Sequence, residues 1–546
     1  MFSFVYVMSS KQWLGDSGRT GAVKGAVFIA FAALMAKVLS AVYRIPFQNI
    51  AGDFGFYVYQ QIYPFYGTIA ILALYGFPVV ISRQVAEKKA QGLEKQANEL
   101  ARQAFVGMTV FAVVASIGCA AAAPLISQFM GDERLAPLLR LVSVGFLFLP
   151  ILSVGRGVGQ GYGDMKPTAF SHIGEQLIRV AAIIFVTYAL AAANSGPYMI
   201  GTGAVYGSLL GSLAGCIVVI VATRQIKWKK WALSFASIGS ALRQSTSILS
   251  QSVYVCINAL VLLLFQMIDV FTIVRLLQEA GLQEEQAYLA KGVYDRGQQL
   301  IQLGTVLATS LALALVPLLA KALARGKEQH AQMYRDAAVR MTLLLGGGAA
   351  IGLVVLMGPV NHMLFTDRAG TDILQVVAVS IFPASLYLTA AAILQGYGKI
   401  HIPLYAVAVG LAVKLAGNLL FIPVMASAMG GAYASLFAFL AMAALALYAI
   451  RRQDGVLFVQ KRSYISTGVT LFLLFLVAYG WKWLLEAFLF TSEERVGDTM
   501  IALSTSLVGV ATVACCLLAS SVLTLREWAS VPKLANWRRK AMNILK

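Results

Sequence analysis

Apolar residues run through this chain in blocks of roughly 20 with few charges inside them, the length an α-helix needs to cross bilayer hydrocarbon at about 1.5 Å per residue. Within each block the apolar run is continuous. Membrane-barrel strands would alternate apolar and polar positions, so that class is excluded. About fourteen blocks are found, centred near Phe31, Ile71, Ala115, Phe146, Ile183, Leu213, Leu263, Leu311, Leu353, Ile381, Val413, Leu440, Leu474 and Leu507.

Between the fourth and fifth blocks stands Gln160-Gly161-Tyr162-Gly163, and the same four residues return 235 positions later as Gln395-Gly396-Tyr397-Gly398. A match of that length is weak alone, but its surroundings repeat too. Pro150 and Pro383 precede the copies, and Pro167 and Pro403 follow them. Arg179 and Lys414 each stand 19 residues after the glutamine, Pro124 and Pro359 are also 235 apart, and AVYGSLL (204–210) resembles GAYASLF (431–437). These correspondences indicate an internal repeat. By the block count an even number of crossings separates the copies, so the two halves are parallel repeats about an axis along the membrane normal, with a cleft between them. The repeated word itself reads as a turn, with glycines ending one helix and proline starting the next.

The expected fold is therefore an all-α membrane protein of about 14 transmembrane helices, two parallel six-helix lobes around a central cavity plus two C-terminal helices. The expected boundaries are a tail at 1–22, a first lobe at 23–225, a basic linker at 226–245, a second lobe at 246–455, the last two helices at 456–525, and a basic tail at 526–546.

Composition agrees with that pattern. The 546 residues are 59% hydrophobic and 12% charged, with mean hydropathy +0.76, more apolar than a water-exposed surface can carry. A formal charge of +19 raises the question of nucleic acid, and its distribution answers it. About thirty of the 43 lysines and arginines fall in alternate loops or tails, among them Lys88 and Lys89, Lys229 and Lys230, Lys321 and Arg325, and Arg451 and Arg452. That alternation sets topology, with both termini cytoplasmic. No nucleic-acid partner is expected, and a monomer surrounded by membrane lipids is. The segment IKWKKWALSF, 226–235, reads as an interfacial anchor. The five cysteines lie in apolar blocks without metal or redox spacing and read as small core residues. No cofactor or metal is expected.

Charges inside the blocks are the candidate chemistry, because an ionised group near the bilayer centre costs about 3 kcal/mol or more. Lys37 and Arg44 are seven residues apart, on one helical face. Arg179 and Lys414 stand in mid-block, and Glu175 is one turn before Arg179, within reach of an intrahelical pair. The seventh block carries Gln251, Asn258, Gln266 and Asp269, and the eighth opens with Asp295 and Arg296. Arg44 and Arg296 lie near helix ends and could snorkel to the interface, and Asp295 could brace Arg296. An excess of cations over acids points to an anionic substrate. An exporter coupled to Na+ or H+ would instead use an acid such as Glu175, Asp269 or Asp295. A membrane glycosyltransferase would need a sizeable aqueous domain, and the loops are too short for one.

AKVLSAVYRIP followed by NIAGDFGFYVYQQIYPFYG, the GFPVVISRQVAEKKAQG end of the second block, and YDRGQQLIQLGTVLATSLALALVPLLAKAL resemble the polysaccharide-transporter branch of the MOP flippase superfamily. Within it the chain is similar to the stage V sporulation protein B group, near the MurJ-type lipid II flippases. The resemblance covers residues 20 to 525 and implies alternating access that moves a lipid-linked sugar pyrophosphate from the inner to the outer leaflet. It also implies that Lys37 and Arg44 match essential first-helix cations, with Lys37 replacing an arginine, and that Asp295 and Arg296 match an Asp-Arg pair. The family's acidic position early in the second helix has no counterpart among Tyr57, Tyr59, Gln60 and Gln61. The last two helices resemble those that form a lateral groove for the lipid tail.

Overall fold

A computed structural model describes residues 39, 43–224, 226, 238–455, 460–488, 494–520 and 522. Among them every regular element is helical. Packing divides the chain into two units, Met1–Gly292 and Val293–Lys546.

In the first unit α1 (Arg44–Ile71) is broken at Gly52, whose φ of 66° and ψ of 176° end the first span and start the second. A side chain would strain that backbone. A π turn, Leu72–Gly76, joins α1 to α2 (Phe77–Ala90), and α3 (Glu94–Phe129) follows. The fourth span is α4 (Ala136–Ser143) and α5 (Leu149–Gly161), joined by the 3₁₀ turn Val144–Phe148. Then come α6 (Lys166–Ala192), α7 (Pro197–Ala222) and α8 (Ile238–Glu279). The helix α8, which the sequence assigns to the second lobe, packs against α3.

The division falls within α9 (Glu284–Ala324). The second unit continues with α10 (Glu328–Phe365), α11 (Thr371–Val379), α12 (Ile381–Gly396), α13 (His401–Met425), α14 (Met429–Asp454), α15 (Lys461–Phe488) and α16 (Arg495–Ala519). The helices α15 and α16 pack on α10 and on each other. Only 22% of the most apolar stretch of each is buried, against 72% for the α11–α12 span, so their apolar side chains are left facing outward.

Twelve helices among the described residues are long and apolar enough to cross a membrane. Each holds one of the centres read from the sequence. Of the two centres left, Phe31 lies outside the described residues, as do 227–237 of the expected linker 226–245, whose residues from Ile238 on are instead the start of α8. Leu311 lies in α9, which is not among the twelve. Cys216 and Cys256 are buried as expected, whereas Cys515 is exposed on α16.

The repeated word is a helix end of the same geometry in both copies. After α5 the Gly163 N–H donates to Gln160 O (3.0 Å) and Asp164 N–H to Gly159 O (2.9 Å). After α12 the Gly398 N–H donates to Gln395 O and Lys399 N–H to Leu394 O, both at 2.9 Å. Each is a Schellman cap, with glycine left-handed at φ 85° and 75°. The first glycine of each word has a packing duty. A Cβ on Gly161 would sit 2.8 Å from Val85 Cγ1, and one on Gly396 would sit 3.0 Å from Leu319 Cδ2.

Lipid offers no hydrophobic drive for helices to associate, so close backbone approach has to supply contact. On α7, Gly203, Gly207, Gly211 and Gly215 form a stripe four residues apart, and the first three approach Val186, Ile183 and Arg179 of α6 so closely that a Cβ would lie 2.6–2.7 Å away. The hairpin α13–α14 is built alike, with Gly417 against Ala434 and Gly410 against Met442.

Candidate functional site

Two of the cations expected to bind substrate come together in the first unit. Arg44 stands at the start of α1 and is buried, with its guanidinium 3.9 Å from the Tyr63 ring centroid and 5.9 Å from that of Tyr43. Arg179, on α6, is buried 5.7 Å from the same Tyr43 ring and 5.6 Å from Tyr66, and donates to Gln176 Oε1. Tyr59, Tyr63 and Tyr66 recur every three to four residues on α1, so their rings lie along one face. Their hydroxyls reach outward: Tyr43 OH and Tyr59 OH are 2.8 Å apart, Tyr59 OH is 3.3 Å from Ser208 Oγ, and Tyr66 OH is 3.2 Å from Ser212 Oγ. The aromatic faces stabilise the desolvated guanidinium charges by about 1–2 kcal/mol each. The result is a cationic, ring-lined cluster suited to an anion and to the apolar faces of sugars.

Glu175 does not simply pair along its own helix with Arg179. It forms a buried ion pair with Arg156 of α5 at 2.8 Å. Arg156 also donates from Nε to Ser171 Oγ (2.9 Å) and from Nη1 to the Ala73 carbonyl (3.2 Å). Sequence reading passed over Arg156 because it sits in the glycine-rich run before the repeated word. Its signal was there: a lone arginine inside an apolar span, the same criterion that selected Arg179.

The second unit repeats part of this frame. Lys414 is buried, donating to Gly431 O (2.9 Å), Ser435 Oγ (2.8 Å) and Tyr294 OH (3.4 Å). Tyr294 OH is 3.2 Å from Ser435 Oγ, the same contact that Tyr59 makes with Ser208. Tyr59 and Tyr294 are 235 apart, as are Arg179 and Lys414, and the two serines match in the aligned heptapeptides. Each unit thus holds a cation beside a Tyr–Ser pair.

Arg296 takes a partner from a distant turn. Its guanidinium is held by both oxygens of Asp367, at 2.7 and 2.9 Å, and reaches Asn361 at 3.2 Å. Asp367 lies in the turn after α10, 71 residues away, and Asp295 is buried alongside on α9. Asp367 has a counterpart 235 positions earlier in Asp132, which accepts from Tyr198 OH (2.6 Å), Tyr57 OH (3.1 Å) and the Arg134 N–H (3.1 Å). Burial pushes the Asp132 carboxyl above its ordinary value against those donors. Burial works the same way on Asp367, but the Arg296 guanidinium and the Ala369 N–H outweigh it and hold that carboxyl below its ordinary value. Asp269 is buried on α8. Lys37 and the Asn258 side chain lie outside the described residues.

Comparison with known proteins settles the family. The family model described as polysaccharide biosynthesis protein matches residues 22–323, more than half of the chain. The chain belongs to that family, within the MOP flippase superfamily. A second family model, MatE, matches residues 255–420. Over 527 residues the chain is 34% identical to the uncharacterized membrane protein YabM of Bacillus subtilis (strain 168), covering 95% of this chain and 96% of that one. It is 24% identical over 453 residues to the lipid II flippase MurJ of the same organism, covering 79% and 83%. Among solved structures, the inward closed conformation of the lipid II flippase MurJ matches with a TM-score of 0.63 at 14% identity, over 90% of this chain and 98% of that chain. An inward-facing multidrug resistance MATE transporter matches at 0.59 and 16%, over 79% and 98%. This member of the polysaccharide biosynthesis family is thus a multi-pass membrane protein with a MurJ- and MATE-like fold, and a flippase or transporter in general class.

Proposed function

We propose that the protein flips an anionic lipid-linked sugar, of the undecaprenyl-pyrophosphate type, from the inner to the outer leaflet of a bacterial plasma membrane by alternating access. The observation that carries this reading is the pair Arg44 and Arg179, both buried and both against the Tyr43 ring. Two guanidiniums offer bidentate forks to phosphate oxygens, and the rings of Tyr59, Tyr63 and Tyr66 offer flat apolar faces to a sugar. Lys37 would add a third charge. Arg296 and Lys414 would act secondarily, since Asp367 balances the first and a backbone carbonyl and two hydroxyls hold the second. A lipid II flippase among the relatives supports the substrate class.

The test is flipping of a fluorescent polyprenyl-pyrophosphate sugar in proteoliposomes. Arg44→Gln and Arg179→Gln are each expected to lower the rate at least tenfold without loss of folded protein. Normal rates in both variants exclude the assignment. The MatE match over 255–420 favours one second reading, a Na+- or H+-coupled exporter using Asp269 or Glu175. Efflux of a cationic dye that collapses with the ion gradient, alongside unchanged flipping in the arginine variants, would select it.

A further inference from the structure

The second and fourth spans are each interrupted. The π turn Leu72–Gly76 separates α1 from α2, and the 3₁₀ turn Val144–Phe148 separates α4 from α5. The interruptions are neighbours: a Cβ on Gly145 would lie 3.4 Å from Ile69 Cδ1, just before the π turn, and α5 packs on that turn. Beyond them the two following segments are tightly joined. A Cβ on Gly157 would lie 2.8 Å from Ile81, and one on Gly161 2.8 Å from Val85. The helices α2 and α5 therefore pack as one block; one end of each meets a non-α turn at one level, the other ends lead into α3 and α6, and α3 packs on the block.

The π turn leaves a polar debt. Ala73's carbonyl would be served in a helix by the amide four or five residues on. Phe77 N–H instead donates to Leu72 O, and Pro78 has no N–H. Arg156 of α5 provides the donor, 3.2 Å away, and is itself anchored to Ser171 and Glu175 of α6. One side chain thus ties the turn and the block to a helix outside the block.

The repeat provides an internal comparison. At the positions 235 residues on, Leu313 replaces Pro78, Ala391 replaces Arg156 and Gly410 replaces Glu175. There the helix α9 runs through 307–311 without a π turn. The turn, the proline and the ion pair are present together in one unit and absent together in the other.

We propose that α2 and α5 swing as one block about the two aligned turns, and that Arg156 is the positioning residue that latches the block in the form seen here. The block carries substrate-independent motion, so a distance tests it without reference to the cargo. Only the second readout rests on the flippase reading above. Spin labels are placed at Gln91→Cys, which follows α2, and Arg224→Cys, which follows α7; both positions are exposed. The full chain, with its native cysteines replaced by alanine, is measured in lipid nanodiscs by pulsed electron spin resonance.

The parent protein is expected to show two distance populations. Pro78→Ala, which restores an amide and allows a continuous α-helix, collapses them to one without lowering the melting temperature. Arg156→Gln shifts the balance at least threefold, and Arg156→Lys restores part of it. Flipping falls at least tenfold in Pro78→Ala. Identical distance distributions in the parent and Pro78→Ala overturn the hinge, whatever the transport rates and whether or not Arg156→Gln folds. A changed distribution with no flipping by the parent protein sustains the hinge and removes the substrate reading instead.

Discussion

The close approach of α6 and α7 gives a sharp test of what holds the first unit together. In Gly211→Ala the new Cβ would lie 2.6 Å from Arg179 Cβ, 2.7 Å from the Glu175 carbonyl oxygen and 3.1 Å from Arg179 Cα. These are backbone and near-backbone atoms, which cannot turn aside. An ordinary carbon contact is about 3.5–4.0 Å, so the helices must part by roughly 1 Å, and a gap of that size forfeits a quarter to a half of each dispersion well along the stripe. Overpacking of this kind costs about 1–3 kcal/mol, while the gain in helix propensity from glycine to alanine returns at most about 1 kcal/mol. The net expectation is a loss of about 1–2 kcal/mol. Gly118→Ala, in α3, is the control: a Cβ there meets nothing within 4 Å. It keeps the propensity gain and should be neutral to stabilising by up to about 1 kcal/mol. Equilibrium unfolding in mixed detergent micelles measures both. Equal stability of the two variants would refute the close-packing argument. Because Gly211 abuts Arg179, its variant should also slow transport more than Gly203→Ala, whose Cβ meets the side-chain tips of Leu190 and Val186.

The two equivalent carboxylates should respond to pH with opposite sign. Asp367, held below its ordinary value, contributes stability above that value and loses it as pH falls through its lowered one, so the cost of Asp367→Asn should shrink on acidification. At neutral pH that cost is about 1–2 kcal/mol, less than for a fully buried pair because Asp367 is 44% exposed. Asp132, pushed up by burial, binds its proton more tightly folded than unfolded, so Asp132→Asn should be better tolerated at pH 7 than at pH 4. Melting curves from pH 7 down through Asp367's lowered value decide both, and parallel profiles for the two variants would contradict the assignment. In the Tyr–Ser pairs, Tyr59→Phe breaks contacts with both Tyr43 and Ser208. Tyr294→Phe removes the hydroxyl shared by Ser435 and Lys414. Each should cost about 1–3 kcal/mol, with transport affected more by Tyr59→Phe because it borders the arginine pair.

The spans, the helical class and the turn role of the repeated word were legible in sequence because each rests on local physics. Apolar length sets a crossing, and glycine after a helix sets a Schellman cap. The cations were legible as cations, but their partners were not. Glu175 stands within reach of Arg179 one turn away, and its ion pair runs to Arg156 on another helix; Arg296 stands beside Asp295, and Asp367 also holds it from 71 residues on. Neighbours in sequence are visible as a spacing, whereas partners across helices depend on rotation and tilt, which no periodicity reports. The 235-residue offset could have gone further. Applied to polar residues as well as to prolines and glycines, it pairs Tyr59 with Tyr294, which make matching contacts, and Asp132 with Asp367, which stand in matching turns with different partners.

That offset also shows what duplication left free to diverge. The Tyr–Ser contact is common to both units, at 3.3 and 3.2 Å, so the frame around the central cation is the conserved architectural feature of the repeat. The cation itself differs. Lysine is a compact point charge, and at position 414 it directs its donors at a backbone carbonyl and two hydroxyls that tie α13 to α14 and α9. Arginine at 179 is planar and weakly hydrated, able to lie against rings while presenting a fork to a phosphate. The carboxylates diverge in the same sense: Asp367 holds a buried guanidinium at 2.7 Å, whereas Asp132 is met by tyrosine hydroxyls and an amide, with only the exposed Arg134 guanidinium nearby at 3.9 Å. Each difference moves net positive character toward the first unit's aromatic cluster and internal neutralisation toward the second. On that argument Arg179→Lys, which keeps the charge and loses the fork, should impair flipping nearly as much as Arg179→Gln, while Lys414→Arg should be damaging through misfit in its oxygen cage rather than through lost charge.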